Sequence, residues 1–190
     1  MEGGTAVAGI LYGEADPAGR LPFTWPKKLE DSPSHRLATQ DLDTVNYEEE
    51  LMVGYRYFDT QEVEPQFPFG YGLSYTTFRY GRLRVSEKNG KVRGRIEIRN
   101  TGDRDGSQTV QIYVRPERPS VTRPVHELKA FEKLFLRAGE RRTVEFTLPA
   151  RAFSYYSETE GRWVEDPGPY TIEAAASSRD IRSTAQIDIK

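Results

Sequence analysis

The sequence contains no cysteine, which excludes disulfide scaffolds, thiol catalysis and zinc sites built on thiolates. Histidine is nearly as scarce. His35 and His126 are the only two, and they stand too far apart in the chain to suggest a metal centre. No apolar run approaches the roughly 18 residues of a membrane-spanning helix, and the N-terminus lacks the basic region of a secretory leader. Neither a membrane partner nor a signal peptide is expected, and the compartment stays open. No charge of one sign dominates: 29 Asp and Glu stand against 27 Lys and Arg, for a net charge of −2. A nucleic-acid partner is not expected, because no overall basic surplus exists to hold a phosphate backbone. Hydrophobic residues make up 36% of the chain, below the roughly 45–50% of globular proteins, a figure that also counts Gly. Aromatics nevertheless reach 12%, and disordered chains are poor in them. The 190 residues are therefore read as folded, enough for one domain or one domain plus part of another.

The chain divides into unlike halves. Up to about Tyr80 it is rich in Gly, Pro and aromatics. Ala6, Val7, Ile10 and Leu11 fall on one stripe of a helix over Thr5–Tyr12 that Gly13 ends. Asp16-Pro17-Ala18-Gly19 reads as a turn, and Leu21 to Pro26 as a short extended piece confined by its prolines to an edge or terminus. Lys27 to Asn46 is polar and irregular, and Tyr47 to Tyr57 reads as a short helix or an extended segment. From about Arg82 the hydrophobic period becomes two. Val92, Gly94, Ile96 and Ile98 alternate with Arg93, Arg95, Glu97 and Arg99, and similar alternation runs through Val110–Val114, Val144–Leu148 and Tyr170–Ala175. Strands are expected near 82–85, 91–99, 109–114, 127–136, 141–148, 153–156, 162–164, 169–176 and 184–189, with turns between them. Ile96, Ile98, Val110, Ile112, Val144, Phe146 and Ile172 are the expected inward positions. Short strands at this spacing describe a two-sheet sandwich of immunoglobulin or fibronectin III type.

Few residues suggest chemistry. Both histidines read as solvent-exposed structural residues. A Ser-His-Asp arrangement is a matter of geometry, but no Gly-x-Ser-x-Gly elbow is present. Asn100-Thr101-Gly102-Asp103-Arg104-Asp105-Gly106 has the opening of a calcium loop without its later ligands, so an inter-strand turn is expected. Glu48-Glu49-Glu50, beside Tyr47, Tyr55, Tyr57 and Phe58, offers carboxylates among apolar walls, the raw material of a glycosidase. The competing reading is the acidic start of a helix. Trp25 and Trp163 are candidates for stacking on sugars or for simple packing. Gly70-Tyr71-Gly72 is not a phosphate loop, because no Lys-Ser/Thr follows; it reads as a tight crossing of two backbones. Arg93, Arg95, Arg99 and Arg104 give the strands a locally basic stripe that suits an anionic polysaccharide, or that guards a strand face with charge.

Taken in order, the motifs resemble the C-terminal part of family-3 glycoside hydrolases, the β-glucosidase and β-xylosidase group. Glu2-Gly3-Gly4-Thr5-Ala6 and Ile10-Leu11-Tyr12-Gly13 through Leu21-Pro22-Phe23-Thr24 resemble the end of the family's α/β sandwich domain. Val53-Gly54-Tyr55-Arg56-Tyr57-Phe58-Asp59 resembles its connector. Phe67-Pro68-Phe69-Gly70-Tyr71-Gly72-Leu73-Ser74-Tyr75-Thr76-Thr77-Phe78 resembles the signature that leads into a fibronectin III-like domain. Arg123-Pro124, Glu127-Leu128-Lys129 and Ser177-Ser178-Arg179-Asp180 fall in the family's order. The resemblance implies a mostly β chain: a remnant of an α/β sandwich domain plus connector over 1–76, then a fibronectin type III-like domain over 77–190. It implies an accessory region of a β-glucosidase-type hydrolase, or alternatively a free-standing carbohydrate- or protein-binding module. The family's nucleophile Asp and acid/base Glu match no position here, so no catalytic, cofactor-binding or metal residue is carried over. Glu50 replaces a usual Gly, His126 a usual Lys, and Ala130 a usual Gly. The expected partners are the remainder of a family-3 hydrolase or a dimer mate, with an oligosaccharide as a further candidate. The arm before the sandwich is expected to pack partly on it or to stay mobile, leaving apolar surface exposed.

Overall fold

A computed structural model describes residues 2–35 and 47–190; the 36–46 part of the polar stretch lies outside the described residues. Helix α1 spans Gly3–Leu11 and ends where Gly13 turns to φ 75°. Helix α2 spans Tyr55–Thr60. The strands follow: β1 Phe78–Tyr80, β2 Arg84–Lys88, β3 Lys91–Asn100, β4 Gly106–Pro116, β5 Glu127–Leu136, β6 Arg141–Leu148, β7 Ser154–Ser157, β8 Arg162–Glu165, β9 Gly168–Ser177 and β10 Asp180–Ile189.

Two antiparallel sheets face each other. In one, β3 lies between β1 and β2 on one side and β6 on the other; the second runs β10-β9-β4-β5. A two-stranded β7-β8 ribbon closes one end. The period-two strands pair as their patterning demands. Val92, Ile96 and Ile98 from β3 and Val144 and Leu148 from β6 meet Val110, Ile112 and Val114 from β4 and Ile172 and Ala174 from β9 in one core. Tyr170 joins this core and donates its hydroxyl to the Phe153 and Asp166 carbonyls.

Two expectations need correction. The first strand of the sandwich, expected at 82–85, is two strands, β1 and β2, because Gly81 breaks the chain and donates to the Glu97 carbonyl. Phe146, expected to be fully inward, is half-buried. Its ring lies over Gly94 on the neighbouring strand, where a Cβ would collide with it.

The arm packs on the sandwich. The Gln111 side chain donates to the Gly70 and Ala176 carbonyls, and the Ser178 amide donates to the Phe69 carbonyl. Gly70 adopts φ 78°, and any side chain there would strike Gln111. Gly72 is equally constrained, against the Gly19 carbonyl. The Gly70-Tyr71-Gly72 stretch is thus a close backbone crossing, as its composition indicates.

Gly94 and Phe146 should be energetically coupled. Phe146→Ala is expected to cost about 2 kcal/mol, below the roughly 3–5 kcal/mol of a fully buried Phe. Gly94→Ala should destabilise in the wild type and cost measurably less in the Phe146→Ala background, as a urea-unfolding double-mutant cycle reads directly.

Candidate functional site

The first turn of α2 carries Tyr55 and the next turn Asp59, four residues apart and so on one helical face. That face meets the outer surface of the β10-β9-β4-β5 sheet. The Tyr55 ring stacks on Phe69 at 4.8 Å and meets Tyr113 edge-on at 5.9 Å, and its hydroxyl accepts the Leu128 N–H at 2.9 Å. The His126 ring stacks on Tyr113 at 4.6 Å. Its Nδ1 lies 2.7 Å from Glu173 Oε2 and its Nε2 lies 3.2 Å from Asp59 Oδ2. A carboxylate only accepts, and an imidazole donates through both nitrogens only as imidazolium. The geometry therefore holds a cation between two anions.

Arginines complete the cluster. Arg179, in the β9-β10 turn, donates Nε to Asp59 Oδ1 at 2.7 Å, its two terminal nitrogens reaching the Phe58 and Val63 carbonyls and the Glu64 carboxylate. Arg115 Nε lies 3.6 Å from Glu173 Oε1. Beside this cluster, Arg56 from α2 joins Arg123 and Lys129 around Glu127. Burial works against the charge on His126, but hydrogen bonds and attraction from Asp59 and Glu173 outweigh it, and its pKa lies above the ordinary histidine value. Burial likewise pushes Asp59 upward, and His126 and Arg179 more than offset that, so its carboxyl sits below the usual range. Burial raises the Tyr55 and Tyr113 hydroxyls. His126 is therefore not the exposed residue its sequence context suggests. It is buried because α2, from 67 residues earlier in the chain, covers it.

The cluster clamps the arm to the sandwich. Retaining glycosidases need two carboxyl groups about 5–5.5 Å apart with a sugar between them; here the space between Asp59 and Glu173 is filled by His126. Glu48, Glu49 and Glu50 lie on a turn rather than at a helix start, with Glu50 at φ 49°. The Asn100–Gly106 stretch is the expected inter-strand turn, knotted on buried Asn100. The Asn100 amide donates to the Arg104 and Leu136 carbonyls, and its oxygen accepts from Thr76 and Gly102. Among the described residues no cluster of His, Asp and Glu has the makings of a metal site. His35 is half-buried, in a short turn with its amide on the Ser32 carbonyl.

A second feature lies elsewhere on the arm. Trp25 and Phe67 exchange backbone hydrogen bonds, and with Leu21, Tyr71 and Leu73 they line a groove of about 370 Å³. Trp25 is 51% exposed, Phe23 49% and Leu73 60%, and α1 buries none of its residues, with Leu11 75% exposed. Trp163 stands apart, half-exposed on the β7-β8 ribbon with Arg151 over its ring.

Comparison with known proteins decides what this assembly is. Residues 1–75 match the glycosyl hydrolase family 3 C-terminal domain, and residues 108–178 match the fibronectin type III-like domain. The chain belongs to the C-terminal region of family-3 glycoside hydrolases. It is 41% identical over 98% of its length to a β-glucosidase of Bacteroides ovatus, and 41% identical over its whole length to an exo-α-(1→6)-L-arabinopyranosidase of Bifidobacterium breve. The chain spans 26% and 25% of those two proteins. The crystal structure of a family-3 β-glucosidase from Bifidobacterium adolescentis superposes with a TM-score of 0.95 at 40% identity, over 98% of this chain and 28% of that one. No described helix is long and apolar enough to cross a membrane.

Glu50 and His126 each carry an expectation. Glu50 holds a left-handed backbone that favours glycine, so Glu50→Gly should raise stability by about 0.5–1 kcal/mol in urea unfolding. His126 has a folded pKa above its unfolded one, so its contribution is fully present below about pH 6.5 and is lost as pH rises through the folded value. Thermal stability should fall over that window. In His126→Lys, where the cation persists, the step should disappear. A wild-type melting temperature that rises through the window would contradict the assignment.

Proposed function

We propose that the chain is the non-catalytic C-terminal accessory region of a β-glucosidase-type hydrolase, divided into an α/β-domain remnant with connector at 1–76 and a fibronectin III-like domain at 77–190. The observation that carries this reading is the pairing of a tightly clamped face with an open apolar one. The arm commits Tyr55, Phe58, Asp59 and Gly70 to the sandwich, yet leaves Leu11, Phe23, Trp25 and Leu73 in solvent. Exposed apolar surface such as that joining Phe23, Trp25 and Leu73 marks an interaction site, and an α/β layer ordinarily buries such residues between a sheet and its helices. The remainder of a family-3 hydrolase is the partner that fits. The region then acts as a buttress, with the sandwich fixing the arm and the arm presenting its aromatics to the hydrolytic domains. The names of the relatives differ in the glycoside they act on, which accords with a substrate chosen elsewhere in the enzyme.

Complementation tests this. The purified chain alone should release no nitrophenol from an aryl β-glucoside. Mixed with a family-3 β-glucosidase shortened by the matching region, it should bind and restore hydrolysis. Trp25→Ala should weaken that restoration about tenfold or more while leaving the melting temperature of the chain unchanged. Hydrolysis by the chain alone, or full restoration by Trp25→Ala, would overturn the proposal. A stable homodimer in sedimentation that excludes the shortened enzyme would favour a dimer mate instead.

A further inference from the structure

The sandwich has a second outer face, on the sheet of β1, β2, β3 and β6, and its charge is one-sided. Residues paired across antiparallel strands point to the same side of a sheet. The register therefore lays Arg79, Arg99 and Arg141 in one exposed row and sets Arg95 between Arg84 and Glu145 in another. Lys88 and Lys91 face each other at the end of the β2-β3 hairpin. Arg93 lies between Ser86 and Thr147, and only Glu97 and Glu145 offer negative charge on this face.

Like charges directly opposite each other on a sheet destabilise it. Here the pairing recurs in four places, on a chain whose net charge is −2. Arg141 reaches Glu97 at 4.0 Å, and no ion pair forms at Arg79, Arg84, Arg93, Arg95 or Arg99 among the described residues. Guarding a strand face against stacking needs charge, but it does not need repulsive neighbours, since mixed signs serve equally. Arg84, Arg93 and Arg95 line an open groove of about 630 Å³ with Glu145 and Thr147 at its far side. Guanidinium forks at strand spacing, about 4.8 Å across and about 7 Å along, suit a ligand with repeated planar anions, because each fork takes a carboxylate through two parallel hydrogen bonds.

We propose that this face binds an acidic polysaccharide bearing one carboxylate per sugar, a polyuronate. Single-stranded nucleic acid fits less well. Its binding platforms carry exposed aromatic rings for base stacking, whereas Phe78, Tyr80 and Phe146 on these strands all point to the opposite side, into the core. The family assignment enters only in the choice of a sugar polymer. The site itself is independent of the arm and of the apolar groove around Trp25, so it holds or fails without regard to complementation.

The test is affinity electrophoresis of the whole 190-residue chain through gels containing polygalacturonate, a neutral β-glucan, or single-stranded DNA. Polygalacturonate should retard the protein, with the effect reduced by added salt, and the neutral glucan should not. The triple variant Arg84→Ser, Arg93→Ser, Arg95→Ser should lose about tenfold or more in affinity. Arg142→Ser and Arg162→Ser, cations placed elsewhere, should bind as wild type. A second readout separates a binding face from a structural one. Relieving the repulsion with Arg99→Thr, between Arg79 and Arg141, should raise the melting temperature while weakening retardation. Equal retardation by the neutral glucan, stronger retention by DNA, unchanged binding in the triple variant, or a lowered melting temperature in Arg99→Thr would each overturn the proposal.

Discussion

Asp59 and Glu173 share a buried site with His126 between them, and the attachment of the arm depends on that arrangement. Two desolvated carboxylates at close range repel in a medium of low effective dielectric. His126 satisfies one with each ring nitrogen, Arg179 takes the free oxygen of Asp59, and Arg115 approaches the other oxygen of Glu173. The first anion comes from the arm, the second from β9, and the histidine from the segment that enters β5. No one of the three elements buries its charge without the other two. Arg179 also binds the Phe58 carbonyl in the last turn of α2 and the Val63 carbonyl just beyond it, so a helix of six residues, too short to persist alone, is held by this guanidinium as much as by its own turn.

The same arrangement explains what could be read from the chain and what could not. Val92, Ile96, Val144 and Ile172 face inward as alternation requires, because each strand has one neighbouring layer and period two reports it. β4 defeats that rule. Gln111 and Tyr113 occupy the polar side of its pattern, yet they are 3% and 0% exposed, since the arm covers that side as well. A Gln reads as solvent-facing whether it meets water or the carbonyl of Gly70. His126 fails for a related reason. Its neighbours Pro124 and Val125 describe only the local turn, and its burial is decided by a helix far upstream. One signal was available: Glu173 is a lone charge on a β9 face otherwise made of Thr171 and Ala175, which is unusual for a surface strand. The resemblance of the Tyr55-Arg56-Tyr57-Phe58-Asp59 segment to the family connector was legible, but no sequence pattern states which strand that segment meets.

Polar bonds rather than apolar burial bind the arm, and this bears on its role. Of its helical residues, Phe58 is the one in the described structure that is fully covered. The Asp16 carboxylate accepts from Ser74, Tyr75 and Ser107, tying the first turn of the arm to the start of β4. Such bonds each contribute modestly, on the order of 1 kcal/mol, but they fix direction. They orient the arm so that Phe23 and Trp25 stay exposed while Tyr55 and Phe58 meet the sandwich. A segment held by directional contacts on one face and apolar on the other behaves as a bracket between two bodies.

The two outer faces of the sandwich make the contrast plain. Both sheets bury their inner faces in one core, so any further specialisation must fall on the outer ones. On the β10-β9-β4-β5 sheet each charge near the arm has an opposite partner within reach, and the face is closed. On the β1, β2, β3 and β6 sheet, arginine stands opposite arginine and the face is open. Folding alone gains nothing from the second arrangement, because threonine at the same positions would satisfy β propensity without repulsion. The repulsion persists in the folded chain as a standing cost. A multivalent anion that lay across the rows would neutralise several neighbours at once and turn that cost into differential affinity for the occupied state, whereas a single small anion would relieve one pair and leave the rest.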